Sequence, residues 1–364
     1  MDKISTAARV ALWPTSQRPG LLTSTAVPPC TAVMGESRGI LDEAYERLHA
    51  TGPELISGLT NHGPMVVECL THLGHDRAVH QWVDAYAGEL DELPRGRDVD
   101  DWAAALGVSS RLGDWLEHFS RDDRPWEELL ALWWPRLLPG MAAAATHGVI
   151  RTGHAVRALR CGQTPPRRAE LGQALAYWAA LWQPIPDLVP TGMRSAREAL
   201  PAVPTLAVQE GRAFERLGRL DETPGWAEAV RALRPTSAGA AAALDEVIDA
   251  AVRTYAGRAW GEPIMLVHAV TAPAAVALVL PSLPPELHEP SVRAAWTTTA
   301  ALVSSYAGPT PRPARTPAPS VEEAVEQAVR HGDAHVVKLT EAALRAPDRR
   351  AGLQAAAAAV SLVV

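Results

Sequence analysis

Apolar residues recur along most of this chain at the 3.6-residue period of an α-helix, not in the alternation of a half-buried strand. Ile40, Leu41, Ala44, Tyr45 and Leu48 form the first stripe. The same spacing predicts helices near residues 64–73, 76–90, 109–119, 125–135, 140–160, 167–182, 209–219, 237–256, 264–281, 290–305, 320–330 and 333–345. Strand-like alternation is nearly absent, so the expected fold class is all-α, a single large multi-helix domain. Residues 1–36, with Pro14, Pro19, Pro28 and Pro29, read as an irregular N-terminal segment. The helical domain is expected over 37–346 and a C-terminal helix or tail over 347–364. Two stretches resemble linkers: 183–208, with five prolines, and the Pro-rich connector 308–319. The second would let the last helices fold back onto a site built far earlier in the chain.

Length and composition narrow the class. A chain of 364 residues that is 47% hydrophobic and 21% charged can bury a substantial core as a soluble globular protein. A net charge of -7 argues against nucleic acid or an anionic membrane surface as partner. No segment reads as the roughly 18 consecutive apolar residues of a membrane span, and the first residues lack a sustained apolar signal region. Cys30, Cys69 and Cys161 share no metal-type spacing, which fits a reducing compartment, and a cytoplasmic location is expected. The fingerprints GxGxxG, GxxxxGK[ST] and GxSxG are absent, so a Rossmann-bound flavin, a P-loop and a hydrolase elbow have no support.

Lysine usage points toward chemistry. Of the 34 basic residues only Lys3 and Lys338 are lysine. Arginine stays protonated, whereas a buried lysine can lose its proton and act as a nucleophile, a Schiff base or a carbamate. In the run His331-Gly-Asp-Ala-His335-Val-Val-Lys338, His335 and Lys338 stand i, i+3 on one helix face. A snorkelling surface lysine beside a chance histidine is the bland alternative.

The twelve histidines divide by context. His49, His72, His75, His80, His118 and His288 sit among charged or turn residues and read as surface or capping groups. His62 precedes Pro64 at a helix start, where it serves either as a cap or as a ligand at the helix mouth. His147 and His154 share a face at i, i+7, two turns or about 10.5 Å apart, with Arg151 between them. Paired ligands on one helix usually stand at i, i+3 or i, i+4, so one of the two is a candidate ligand and the other a group for substrate or oxygen. His268 lies in an almost wholly apolar helix, where a satisfied core histidine is the competing reading. Neutral imidazoles with one anion suit iron, zinc, copper or nickel better than magnesium or calcium.

Asn61-His62-Gly63-Pro64-Met65, His147-Gly-Val-Ile-Arg151-Thr-Gly-His154-Ala-Val-Arg157-Ala-Leu159, Ala174-Leu-Ala-Tyr177-Trp178-Ala-Ala180 and His335-Val-Val-Lys338-Leu-Thr-Glu341 together resemble the questin oxidase-like family. The resemblance spans roughly residues 37–346. It implies a non-haem iron enzyme, Fe2+ in the resting state, that opens a ring of an anthraquinone-type polyketide with O2. The route is Baeyer–Villiger-like or dioxygenase-like, with a place for NADPH as cosubstrate. Carried over by position, the metal set is His62, one of His147 and His154, His268, His335 and a carbamylated Lys338. Arg151, His154 and Tyr177 become catalytic candidates, and Trp178, Trp182 and Met65 become substrate contacts. For the aromatic residues, ordinary core packing is the competing reading. Four imidazoles and a monodentate carbamate leave one open position on an octahedral ion, so oxygen would take it while the aromatic substrate stacks beside the metal.

Two other classes compete. A hydrolase with a Lys-carbamate bridge would need two metals and a bridging water. A non-catalytic helical protein binding an apolar ligand would hold no metal and tolerate Lys338→Arg.

Overall fold

A computed structural model describes residues 36–235, 238–313 and 317–364. The irregular segment expected over 1–36 therefore lies outside the described residues, except that Glu36 opens the first helix. The fold is all-α, with 68% of the described residues helical. Helices of ten or more residues are α1 (Glu36–His49), α2 (Gly63–His72), α3 (Asp76–Tyr86), α4 (Leu112–Arg121), α5 (Trp126–Leu137), α6 (His147–Cys161), α7 (Pro165–Ala180), α8 (Ala240–Arg258), α9 (His268–Val279), α10 (His288–Tyr306), α11 (Val321–His331), α12 (Ala334–Ala343) and α13 (Arg349–Leu362). Elements without a counterpart in the helical pattern include the short helices Trp102–Ala105, Ala196–Ala199 and Trp226–Arg231 and a small antiparallel ribbon. The ribbon pairs β1 (Thr51–Leu55) with β2 (Leu90–Glu92), Thr51 opposite Glu92 and Leu55 opposite Leu90.

Four of these helices position the candidate site. They pack in a closed ring, α2 on α6, α6 on α9, α9 on α12 and α12 back on α2. Small residues set the spacing around α6. A Cβ on Gly148 would lie 2.6 Å from the Trp178 side chain, and one on Gly153 would lie 2.8–2.9 Å from Ala275. Both glycines of the HGVIRTGH segment thus serve close helix approach, α7 on one side and α9 on the other.

Helix α9 continues the short helix Pro263–Leu266, and the stretch Pro263–Ser282 has a mean hydropathy of 2.0. It is long and apolar enough to cross a membrane, contrary to the reading that no segment is. His268, Thr271 and Pro273 hide this by interrupting a strictly apolar run. The stretch is 72% buried against its neighbours, as a core helix is. Pro273 has no N–H to offer the Ala269 carbonyl, toward which the Thr299 hydroxyl reaches at 3.5 Å.

The linker-like stretches are tied to the body. Leu188, Ala196, Ala199, Leu200, Val203 and Leu206 from 183–208 are buried in the core with Trp226, Val247 and Trp296. Proline content there reflects tight irregular packing, not a free tether. The start of the 308–319 connector is held by Gly308 N–H donating to Arg258 O at 2.8 Å and Arg312 N–H donating to Gly257 O at 2.8 Å. The Arg312 guanidinium also lies 3.6 Å over the Trp260 ring. Past the connector, α11 ends at Gly332, whose φ of 75° reverses the chain, and Asp333 caps α12 by accepting from His335 N–H and Val336 N–H.

Candidate metal centre

Each helix of the ring delivers one imidazole near its N-terminal end. His62 occupies the N-cap of α2, but its side chain makes no capping bond. Asn61 does that work instead: its Oδ1 accepts from Gly63 N–H at 2.8 Å, while its amide donates to Gly52 O at 3.0 Å. The His62 backbone N–H donates to the Tyr86 hydroxyl at 2.8 Å, fixing the loop against α3. His147 is the first residue of α6 and His268 the first of α9. His335 lies in the first turn of α12, and Lys338 follows one turn later.

The four rings meet in the order of their helices. Nε2 of His62 lies 2.8 Å from Nε2 of His147, and Nε2 of His147 lies 3.1 Å from Nε2 of His268. The His335 ring stands at 4.6 Å from that of His62 and 5.6 Å from that of His268, centroid to centroid. Candidate ligand atoms of His62, His147 and His335 all fall within 4.8 Å of one another. Two nitrogens bound to one ion at ~2.0–2.1 Å and at a right angle would lie about 2.9 Å apart. The observed spacings are of that size.

Protonation sharpens the point. His147 Nδ1–H donates to the Ala144 carbonyl at 2.5 Å, and His268 Nδ1–H donates to the Met265 carbonyl at 3.0 Å. A carbonyl can only accept, so each neutral ring keeps its proton on Nδ1 and a bare lone pair on Nε2. Those lone pairs face each other at 3.1 Å. An extra proton is disfavoured, because burial first, and then the neighbouring cationic groups, push both imidazoles well below their ordinary pKa. His62 is depressed in the same way. His335 is lowered by burial although Asp333 Oδ1, 3.3 Å from its Nδ1, pulls the other way. A cation shared among the rings would satisfy those lone pairs.

Lys338 is 1% exposed, and its Nζ has no hydrogen-bond partner. Burial lowers its pKa to about 8, within reach of the free amine. Its charge also helps to lower the pKa of His62, His147, His268 and His335. The N-terminal ends of α2, α6 and α12 converge on the same spot, and their partial positive charges favour an anion there.

The geometry treats His147 and His154 differently. His154 Nδ1 bonds Glu68 Oε2 at 2.7 Å, in a separate buried cluster two turns along α6. Arg157 donates there through Nε to Glu68 Oε1 at 2.6 Å and through Nη1 to Glu341, which Arg345 also contacts at 3.2 Å. Burial opposes ionisation of Glu68, but Arg157 and His154 outweigh it and hold its carboxyl at about 2. Glu68, Cys69 and His154 are themselves close enough to suggest a metal group, yet both Glu68 oxygens are already taken by Arg157.

Arg151, the other polar residue of this face, forms a two-point pair with Glu170 at 2.6 and 2.7 Å and reaches Gln173 at 3.0 Å. His49, read as a surface group, completes that cluster by bonding Glu170 at 2.8 Å. Tyr177 pairs its hydroxyl with Thr60 at 2.8 Å and lies 3.5 Å from Glu54. Trp178 is fully buried, edge-on to Trp134 at 5.4 Å, with its indole N–H on Gly140 O. Trp182 is half-buried and donates to Leu137 O at 3.2 Å, and Met65 is fully buried with the same apolar cluster. These residues sit in packing and polar contacts of their own, whereas the four ring-helix histidines come together.

Sequence reasoning passed over Asp333, Tyr86, Glu68 and Glu341. An Asp two residues before His335 was a readable N-cap signal; the partners of the other three depend on helices far apart in the chain. A scan of the chain against models of known protein families finds no match, and a search of curated proteins finds no significantly similar relative.

Proposed function

We propose that His62, His147, His268, His335 and Lys338 hold one redox-active metal ion, non-haem iron, and that the protein is an oxygenase cleaving a ring of an anthraquinone-type polyketide. The observation that carries the metal reading is the pair of Nε2 lone pairs of His147 and His268 at 3.1 Å, each locked by a backbone carbonyl on Nδ1. The motif resemblance to the questin oxidase-like family supports the reaction class. Four imidazoles without a thiolate among them suit iron, and bound iron would supply the one-electron and O2 chemistry that side chains lack.

The chain's own groups have definable tasks. Nδ1 hydrogen bonds aim the His147 and His268 donors and fix their tautomers. Lys338, once deprotonated, adds through Nζ to the carbon of CO2; the new N–C bond yields a carbamate, and the released proton leaves to solvent. That converts the one cation of the cluster into an oxygen donor, at a place where three helix N-termini favour negative charge. His62 and His335 are partly exposed while His147 and His268 are buried, so substrate would approach from the His62–His335 side. Exposed Ile56 and Leu59, in the loop leading to His62, are apolar groups suited to an aromatic substrate. A dioxygenase outcome places both oxygen atoms in the product. A Baeyer–Villiger-like outcome reduces one of them to water with two electrons from a cosubstrate such as NADPH.

Elemental analysis of the purified protein should find about one iron per chain. Single Ala variants at His62, His147 and His268 should each lose it, while His154→Ala should retain it. A wild-type protein that neither carries metal nor takes up Fe2+ in anaerobic titration calorimetry would return the cluster to a ligand-free reading. Two zinc ions per chain would instead favour the carbamate-bridged hydrolase.

A further inference from the structure

Helix α6 is expected from residue 140 onward, yet it begins only at His147. Ala144, Ala145 and Thr146 take φ values of 48°, 53° and 72°, three successive left-handed residues without a glycine among them. Alanine is the best right-handed helix former, so nothing local favours this turn. Tertiary contacts impose it. Thr146 is fully buried, with its N–H on Ala142 O at 3.2 Å and its hydroxyl on Ala145 O at 2.5 Å. Trp178 clamps both flanks, bonding Gly140 O before the turn and packing on Gly148 after it. The short helix Ala213–Leu217 lies against the turn itself. A strained conformation that its surroundings over-determine usually has a task.

The task is visible in one bond. The turn swings the Ala144 carbonyl back onto the ring of His147, three residues ahead, where it accepts the Nδ1–H at 2.5 Å. His268 obtains the same kind of Nδ1 bond from the Met265 carbonyl within right-handed helix; at His147, the first residue of its helix, the left-handed turn delivers the carbonyl instead. We propose that the left-handed turn Ala144–Thr146 is a positioning device that locks His147 in its Nδ1–H form and presents Nε2 to His62 and His268. The inference rests on the metal reading for its consequence, but the tautomer lock can be tested without metal.

Asparagine and valine are close in size, but asparagine tolerates left-handed backbone and β-branched valine does not. Ala144 is only partly buried, so either side chain has an outlet to solvent. Ala144→Asn should therefore bind Co2+, the probe ion, within about threefold of wild type. Ala144→Val should bind it roughly 10- to 100-fold more weakly, the usual loss when the outer partner of a ligating histidine is removed. Ala145→Gly, which relaxes the turn without crowding it, should behave like wild type, and helical circular dichroism should be unchanged in all three. In the metal-free proteins, long-range 15N–1H spectra of the imidazoles should show one Nδ1–H tautomer for His147 in wild type and Ala144→Asn. Ala144→Val should give a mixture. Equal tautomer purity and equal Co2+ affinity in the Asn and Val variants would overturn the proposal. Absence of Co2+ binding by wild type would sink the metal reading alone, because the tautomer comparison still decides the turn.

Discussion

Replacing Lys338 by arginine should abolish metal binding, although it conserves charge and length at a position that a simple ion pair would tolerate. Lys338 is 1% exposed with an unpartnered Nζ, and burial lowers its pKa to about 8. A guanidinium can neither shed its proton in this range nor take up CO2. It would instead place a permanent cation among four imidazoles whose protonation is already disfavoured. Iron affinity should fall more than about 100-fold, beyond the loss expected for an outer-sphere partner. Lys338→Met, similar in reach and neutral, should keep the fold by circular dichroism while losing the ion, which separates donor loss from misfolding. Lys338→Ala should regain part of its iron in propionate, whose carboxylate can enter the vacated space. Exposure of the wild type to 13CO2 should give a carbamate carbon resonance that Lys338→Met lacks. An iron-loaded, active Lys338→Arg variant would end the carbamate proposal.

The largest effect on stability is expected at Arg157, away from the candidate ligands. Its guanidinium bridges Glu68 on α2 and Glu341 on α12 from its place on α6, so one side chain joins three of the four ring helices. All three side chains are 6% exposed or less. Removing one partner of such a buried pair costs roughly 3–5 kcal/mol, because the remaining charge stays desolvated and uncompensated. Arg157→Met should show that loss in urea unfolding at neutral pH, with the triple variant Arg157→Met/Glu68→Gln/Glu341→Gln recovering much of it. A loss below about 1 kcal/mol would mean that the carboxylates find other partners.

The pH dependence follows with a definite sign. Glu68 has a folded pKa of about 2 against 4.5 when unfolded, so its contribution is full above 4.5 and is lost as pH falls toward 2. Glu341 is shifted in the same direction, against the pull of burial, chiefly by Arg157 and then Arg345. In Arg157→Met the two carboxylates lose that support, and their folded pKa values should rise. The deficit of the variant should therefore be largest at neutral pH and shrink as pH drops through 4.5, where wild type is itself weakening. A deficit independent of pH would assign the effect to lost packing.

Much of the architecture was legible in the sequence because a helix writes its buried face into a local period. The stripe Ile40–Leu48 and the later runs are α1 to α12 in outline, the run 209–219 shrinking to the short helix Ala213–Leu217, and the C-terminal residues 349–362 do form a helix, α13. The β1–β2 ribbon escaped, because five residues containing Gly52 and Pro53 carry no alternation to read. Lys338 was legible for a compositional reason: a chain whose basic residues beyond Lys3 are otherwise all arginine has a lysine beside His335 inside a helix. What local pattern could not settle was the choice between His147 and His154. Both lie on the same face of α6 in similar company, and they differ only in what the neighbouring helices bring. Glu68 meets His154, while His62 and His268 meet His147. The start of α6 was equally hidden, since Ala144 and Ala145 read as helix and only packing against Trp178 and its surroundings turns them left-handed. Helical periodicity is a property of neighbours three and four residues apart, so the chain alone specifies which faces are buried. Which ring nitrogens meet is set by contacts between residues 85 to 121 positions apart, and only the folded ring of α2, α6, α9 and α12 decides that.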